Sequence, residues 1–498
     1  MFYSLFAKQA TIHPDKIAVV CDGSHITYGD MSLSIETVAK NLNSIGIKSG
    51  DLCCVCFDNS INYLILYYAM VRLGIRIMPL TTTMAPHEIE MFCRECEPSY
   101  FIVHPPYHDK FSTIASSLGA GMLISERTEP HNLASIFQRQ VRSTVSLPDM
   151  IWKDQDLVIH YNTPNSPEAG ERFKGAVQTH ESHAHRMLNW AKAANITHED
   201  RTLCMHPIMH AFGSEMFAFP ALSTGQTLYL MTASEVTPAN VAKAIADNHI
   251  TLFGALPWFY QELANLPHES RADLSSLRVA MCAATPLPIE VAERFFELYG
   301  KRVSNSYGLT ETSLIASNLD NGSMDDMLTV GRAIPNVDVC IRDCGIGMPD
   351  VGELLVRSNG FSVRYYSADV PPLWRDGWIH TGDLVRQEMD SGFYVLGRVT
   401  QVITTADGKF LPLEVEEAIG RHPHVKEVAV VPVESETGVQ AAAFIVPNGT
   451  VTEDDIRHYV EQTLSKYKVP AHIRFRDSLP KSATGKISRA KLRIEGHS

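Results

Sequence analysis

Through the first half of the chain, segments of helical period alternate with short apolar runs. Leu33 to Ile45 is followed by Leu52 to Phe57, Ile61 to Leu73 by Ile75 to Leu80, and Val241 to Asn248 by Thr251 to Ala255. Apolar positions recurring every third and fourth residue predict amphipathic helices, and the short continuous runs predict strands. Their alternation predicts parallel α/β units. From about Val330 to Leu396 the runs are broken by Gly and Asp turn signals, which predicts a β-rich stretch. After Arg398 the pattern predicts a compact α+β unit. Its helices cover Leu413 to Arg421 and Val451 to Lys466, and its strands Val428 to Val433 and Ala441 to Val446. A boundary at Val399-Thr400 divides the chain into 1–398 and 399–498. No internal repeat or low-complexity tract is present.

Composition sets limits on this picture. A chain of 498 residues is too long for one compact core. Its 45% apolar content is ordinary for a globular protein. A net charge of −13 argues against nucleic acid or an anionic membrane as the main partner. No apolar run approaches the roughly 20 residues that span a bilayer. Met1 to Ala10 is amphipathic and lacks a charged n-region before an apolar core, so it is not expected to be a secretory signal. The ten cysteines are scattered, with Cys53-Cys54-Val55-Cys56 in a run that reads as a buried strand. Cys93 and Cys96 have CxxC spacing without a second pair, so reduced core thiols in a cytoplasmic protein are expected. Most of the 21 histidines are isolated; His180, His183 and His185 lie near one helix start, where a solvated face is expected.

Four segments carry candidate chemistry. Leu479-Pro480-Lys481-Ser482-Ala483-Thr484-Gly485-Lys486 places a lysine after a glycine among further basic residues. Lys486 can enter a site as a point cation and meet charge developing on a carboxylate or phosphate. In Asn305-Ser306-Tyr307-Gly308-Leu309-Thr310-Glu311, Gly308 permits a tight backbone path. Tyr307 offers a face for a nucleobase, Thr310 a hydroxyl for a phosphate, and Glu311 a hard oxygen for Mg2+. His380-Thr381-Gly382-Asp383 follows the turn signal Asp376-Gly377, and a buried Asp there suits two vicinal hydroxyls of a ribose. Gly397-Arg398 adds a cation after the strand-like Phe393 to Leu396. Taken singly, each reads equally well as a turn, a packing position or a solvated tail; their order and spacing together do not.

The set resembles the adenylate-forming superfamily of acyl- and aryl-CoA synthetases, adenylation domains and luciferases. The resemblance covers almost the whole chain, including Pro207-Ile208-Met209-His210-Ala211-Phe212-Gly213 and Ser276-Leu277-Arg278 running into Thr285-Pro286-Leu287. It implies an α/β fold with a large N-terminal domain of stacked α/β subdomains plus the β-rich subdomain, and a small mobile α+β lid that delivers Lys486. It implies a ligase that uses ATP and Mg2+ to turn a small carboxylic acid into an acyl-AMP. The acceptor is expected to be a thiol, on coenzyme A or a carrier protein, and the enzyme a monomer or homodimer. The resemblance places Thr163, Ser166, Lys174, Ala283, Ala284, Thr285, Asn305, Tyr307, Gly308, Asp383 and Arg398 around ATP. It assigns chemistry to Lys486, His210, Thr310 and Glu311.

The departures from the family pattern are as informative. The phosphate loop, normally Ser/Thr/Gly-rich and ending Pro-Lys-Gly, runs here from Tyr161 to Gly175 and is longer. It has lost most of its glycines and gained prolines, Glu168 and Glu171. Glycines let backbone N–H groups converge on phosphate, whereas each proline removes one. Thr163, Ser166 and Lys174 survive. The Gly-Gly pair at the adenine wall is Ala283-Ala284, expected as a small steric change. The hinge position, usually Asp or Lys, is Thr400; the next lysine position is Thr404, and the loop glycine is Asp407, with Gly408 one place later. That loop is implied to line the acceptor tunnel, which opens the alternative of transfer to a free amine, as in amide-forming members. A third alternative, a non-catalytic binding protein on the same fold, is opposed by the retention of Glu311, Asp383, Arg398 and Lys486. For the acid, Phe212, Gly213, Phe253, Gly254, Met281 and Leu314 suggest a mostly apolar pocket. His210 reads equally as a group that orients the carboxylate or gates the tunnel and as a satisfied, partly buried histidine. Glu215 is expected on a helix surface, with contact to a substrate amine or hydroxyl as the other reading.

Overall fold

The computed structural model describes residues 1–118, 122–124, 133–138, 147, 153–162, 174–319, 329–348, 350–388, 392–405, 407–435, 438–480 and 487–496. Two compact units emerge. The first holds 1–162, 174–338 and 357–376, and the second holds 163–173, 339–356 and 377–498.

The first unit is built on two largely parallel sheets. One has seven strands in the order Arg364–Tyr365, Lys174–Thr179, Asp156–Asn162, Arg76–Pro79, Leu52–Cys56, Tyr100–Val103 and Met122–Ile124. The other has nine: Arg332–Ala333, Ser313–Ser317, Val303–Leu309, Val279–Cys282, Leu252–Ala255, Arg201–Cys204, Thr227–Leu230, Ile17–Cys21 and Ser24–Thr27. The helical and strand expectations hold here with small shifts at the ends, except that the helix expected from Leu33 begins more than a turn earlier, at Tyr28, where the Thr27 hydroxyl caps it. Ile61–Leu73 is a helix, capped by the Ser60 hydroxyl, which accepts from the Tyr63 N–H, and ended by Gly74 at φ 70°. Gly74 is left-handed, which glycine adopts without cost. Val241, Ile245, Phe253, Phe259, Tyr260 and Phe295 form the core on one face of the nine-stranded sheet. The chain's opening segment is the helix Phe2–Ile12, whose Phe2 and Phe6 are fully buried.

The second unit begins with a β-rich part. Val351–Arg357 pairs antiparallel with Trp378–Glu388, which pairs in turn with Gly392–Arg398. A small α+β part follows, with strands Val425–Ser435, Gly438–Pro447 and His472–Phe475 in one sheet. Period-two alternation sends Val430 to a core with Val415, Ile445 and Val460, and Ala429, Val431 and Val433 to another with Phe444 and Leu492. Both faces are therefore covered.

Some expectations need correction. The helix expected over Val451 to Lys466 stops at Glu461. The Val460 carbonyl takes both the Thr463 and Leu464 N–H groups, and Ser465 turns extended ahead of Val469-Pro470. Eight cysteines are buried as expected, but Cys340 is exposed and Cys344 half-buried. The histidines near residue 180 do not form a solvated face: His180 and His183 are buried. In the helix His180–Ala193 they share a face with Met187 and Trp190 at spacings of three and four. Among the described residues, no helix is long and apolar enough to cross a membrane.

Candidate active site

In the nine-stranded sheet, the chemistry-bearing residues of the first unit emerge at the carboxyl ends of parallel strands, where ligands bind in open α/β sheets. Val303–Leu309 includes Asn305, Tyr307 and Gly308 within the strand itself, rather than in a loop after it. It folds back through Thr310-Glu311-Thr312 onto Ser313–Ser317. The turn is tight: a Cβ on Gly308 would lie 1.9 Å from the Ser313 carbonyl oxygen, and Ser313 has φ 57°. The Leu309 N–H donates to the Thr312 hydroxyl at 3.1 Å. Glu311 is thus at the tip of a hairpin, yet only 7% exposed. Its Oε1 accepts from the Tyr365 hydroxyl at 2.9 Å, and the Lys174 ammonium lies 5.5 Å from the centre of the same tyrosine ring. Tyr365 therefore connects the retained end of the phosphate loop to the candidate metal carboxylate. The donor chemistry fits Mg2+, a hard cation that takes carboxylate oxygen.

The adenine-wall pair follows Val279–Cys282. Ala283 is buried, while Ala284 has φ 74°. The departure expected to be merely steric is therefore also conformational. A left-handed Ala costs about 1 kcal/mol relative to Gly. Thr285 follows in the same half-buried loop.

The acid-pocket residues divide. Gly254 and Met281 are register partners on adjacent strands and share a face. Phe253 points the other way, into the core with Phe259 and Tyr260, so period-two alternation removes it from the candidate pocket. A Cβ on Gly254 would lie 2.4 Å from the Phe217 ring, and one on Gly213 would lie 2.5 Å from the Pro207 carbonyl oxygen. Phe212, Phe217 and His206 form an aromatic cluster, with His206 edge-on to Phe212 at 4.7 Å. Leu314 is buried opposite Gly308. His210 is exposed, not partly buried; its Nδ1 accepts from the Phe212 N–H at 3.1 Å.

Glu215 is not on a helix surface. It lies in the π-helical turn Ser214–Ala218, 1% exposed. Arg186 donates to its Oε2 at 2.9 Å and Gln178 to its Oε1 at 2.7 Å. His160 Nε2 is 3.5 Å and His183 Nδ1 3.9 Å from Oε1. Burial alone would raise this carboxyl, but Arg186, with His160, His183 and Gln178, outweighs it and holds the group at about 2. Burial pushes His160 and His206 down to about 4, and His180 and His183 to about 3, so all four are neutral at pH 7.

In the second unit, Asp383 and Arg398 are cross-strand partners. Asp383 is 5% exposed, and Arg398 Nε donates to its Oδ1 at 2.7 Å. Arg398 also donates to the Thr381 carbonyl at 3.0 Å, and the Asp383 N–H to the Thr381 hydroxyl at 3.1 Å. Gly382, at φ 71°, makes the bend that brings Asp383 inward. Thr400, Thr404 and Asp407 are exposed, on the turn Val399–Gln401 and the hairpin of Ile403–Thr405 with Gly408–Phe410. Thr163, Ser166 and Lys486 lie outside the described residues. Sequence reasoning missed Tyr365, His206 and Arg186. Only Arg186 left a sign: it falls on the stripe of His183, Met187 and Trp190.

Over residues 6–169 and 172–366 the chain matches the AMP-binding enzyme family, and over 414–486 the AMP-binding enzyme C-terminal domain. It is 27% identical to a feruloyl-CoA synthase of an Amycolatopsis species, covering 98% of this chain and 97% of that one. It is likewise 27% identical to an indoleacetate–CoA ligase of Aromatoleum aromaticum, covering 98% and 96%. ATP-bound MatB from Rhodopseudomonas palustris superposes with a TM-score of 0.87 at 25% identity, covering 99% of each chain. The amide bond synthetase McbA from Marinactinospora thermotolerans shares the fold, with a TM-score of 0.86 at 22% identity and full coverage of both chains.

Proposed function

This chain belongs to the AMP-binding enzyme family and is an adenylate-forming acid ligase, and from that premise we propose how its residues divide the work. The observation that carries the proposal is the buried hairpin tip, where Glu311 is fastened by the hydroxyl of Tyr365 and the Lys174 ammonium stands against the ring of that same tyrosine. In the first half-reaction a carboxylate oxygen of the acid attacks the α-phosphorus of ATP. The bond to the β-phosphate oxygen breaks and pyrophosphate leaves. Two anions must meet, so positive charge is the main requirement. Lys486 supplies it at the carboxylate and α-phosphate, and Lys174 at the departing phosphates. Glu311 would hold Mg2+, which supplies charge neutralisation of the phosphates when bound. Thr310 donates its hydroxyl to phosphate, Tyr307 stacks on adenine against Ala283-Ala284, and Asn305 and Thr285 border the base. Asp383 accepts from the ribose hydroxyls, and its Arg398 partner keeps it aimed. Residues 399–498 form a lid that turns about Val399-Thr400 and keeps water from the acyl-adenylate.

In the second half-reaction a thiol sulfur attacks the acyl carbon and AMP leaves. The feruloyl- and indoleacetate–CoA relatives favour coenzyme A as that thiol and an aromatic or other apolar acid, which suits Phe212, Met281 and Gly254. The exposed, altered hairpin with Thr404 and Asp407 favours a second reading, transfer to a free amine. A neutral amine is already a good nucleophile and needs less help from that loop. The buried free thiols fit a reducing cytoplasm.

The test is mass spectrometry of reactions holding ATP, Mg2+ and a panel of aliphatic, cyclic and aromatic acids, divided between coenzyme A and mixed amino acids. A thioester supports the first reading. An amide without thioester replaces it with the second. Absence of any acyl-adenylate sinks both.

A further inference from the structure

Arg186 has no role in the chemistry described above, yet it makes an unusual set of contacts. Its side chain is 1% exposed and spends nearly all its hydrogen-bonding capacity. Nε donates to the Gly360 carbonyl at 2.6 Å. Nη1 donates to Glu215 at 2.9 Å and to the Thr310 carbonyl at 3.3 Å. Nη2 donates to the Glu311 carbonyl at 2.7 Å and to the Ser362 hydroxyl at 2.9 Å. One planar guanidinium thus grips the two successive peptide groups whose side chains are the candidate phosphate and metal ligands. It also grips the 360–362 segment, which leads directly to Tyr365, the hydroxyl bound to the Glu311 carboxylate.

A buried guanidinium needs a counter-charge, and Glu215 provides it from the π-helical turn. Glu215 is itself fixed by Gln178, whose Oε1 is bonded to His183 Nδ1 at 2.5 Å. The pair could be replaced by apolar residues without loss of stability if packing were all it did. Its donors are instead spent on the backbone of a hairpin tip, beside the two other bonds that reach that tip from outside, the Ser362 N–H on the Glu311 carbonyl at 2.8 Å and the Tyr365 hydroxyl on the Glu311 carboxylate.

We propose that the buried Arg186–Glu215 pair is a positioning device for this reaction: it sets the Thr310-Glu311 peptide groups, and through Ser362 and Tyr365 the Glu311 carboxylate, in the geometry used for adenylation. This rests on the reading of Glu311 as the metal carboxylate. Neither residue touches substrate. A displacement of the tip by about an ångström is expected to cost roughly 10- to 100-fold in rate.

Two variants test it. Arg186→Lys keeps the charge opposite Glu215, but an ammonium cannot span the five acceptors of a planar fork. The double variant Arg186→Met with Glu215→Leu leaves no buried charge unpaired, so it keeps the fold if the single change does not. Both should show a lower kcat for acyl-adenylate formation with the acid KM within about twofold of wild type, and a raised Mg2+ half-saturation. Independently of activity, hydrogen–deuterium exchange over 305–316 should rise in both, while the strand Leu252–Ala255 is unchanged. Wild-type exchange over 305–316 together with a wild-type Mg2+ response would overturn the proposal. Glu311→Gln, run in parallel, separates the two ideas. If it loses the Mg2+ response while the Arg186 variants keep theirs, only the positioning role fails. If it keeps a wild-type response, the reading of Glu311 fails and the positioning role with it.

Discussion

Two hairpins invite comparison. One, Val303–Leu309 with Ser313–Ser317, carries Thr310 and Glu311 at its tip. The other, Ile403–Thr405 with Gly408–Phe410, carries Thr404 and Asp407. The first matches the family pattern at each chemistry-bearing position, whereas the second departs from it. Structurally they are opposites. The first tip is buried and held from outside the hairpin by Arg186 and Tyr365. The second tip is exposed, with the Thr405 hydroxyl donating across its own turn to the Gly408 carbonyl at 3.0 Å. A residue locked into a buried network cannot change without leaving a polar group unpaired. An exposed residue can change at little structural cost, so its identity is free to follow the acceptor.

The largest expected effect removes the cation that both anions need. Lys486→Ala should slow acyl-adenylate formation by about 10³-fold or more, read by pyrophosphate release, whereas Thr404→Lys should leave that half-reaction at the wild-type rate. A normal rate for Lys486→Ala would remove the assignment.

Next in size is stability in the buried region. Arg186→Met alone strands the Glu215 carboxylate and should cost about 3–5 kcal/mol in chemical denaturation. Substitution of the exposed Thr400 by Ala should fall within about 0.5 kcal/mol of wild type, as surface changes do. Equal effects would erase the contrast between the regions.

Acid sharpens it further. His160, His180, His183 and His206 have folded-state values pushed down to between about 3 and 4 from an ordinary 6.5, chiefly by burial. The unfolded chain therefore binds protons that the folded chain refuses. Their contribution is complete above pH 6.5 and lost as pH falls, at about 1.4 kcal/mol per histidine per pH unit until the folded value is reached. Glu215, held at about 2, adds a loss below its ordinary 4.5. Melting temperature should drop steeply between pH 6.5 and 4, and a flat profile would mean the histidines are not buried neutral.

Asp383→Ala should raise the ATP KM about tenfold with a smaller change in kcat, because the ribose is held before and during the chemistry alike. The smallest effect is at the adenine wall, where Ala284→Gly should relieve a left-handed alanine and stabilise the protein by about 1 kcal/mol, less the extra freedom of glycine when unfolded.

The sequence by itself determined the α/β class and most element positions, and it singled out the four segments of candidate chemistry. These depend on local periodicity, turn residues and spacing, which the chain order records directly. It assigned Tyr307, Glu311 and Asp383 to specific tasks because each lies in a segment whose residue types suit one ligand. Only the tertiary structure decided which polar residues are buried together. Arg186, Glu215 and the Ser362 to Tyr365 segment stand far apart in the chain, and the sequence placed Glu215 and His183 in water because polar residues usually are. Phe253 and Gly254 are adjacent in sequence, and only the strand's two-residue repeat, once its core face was known, separated them. Long-range pairing of charges is fixed by packing, so no local pattern announces it.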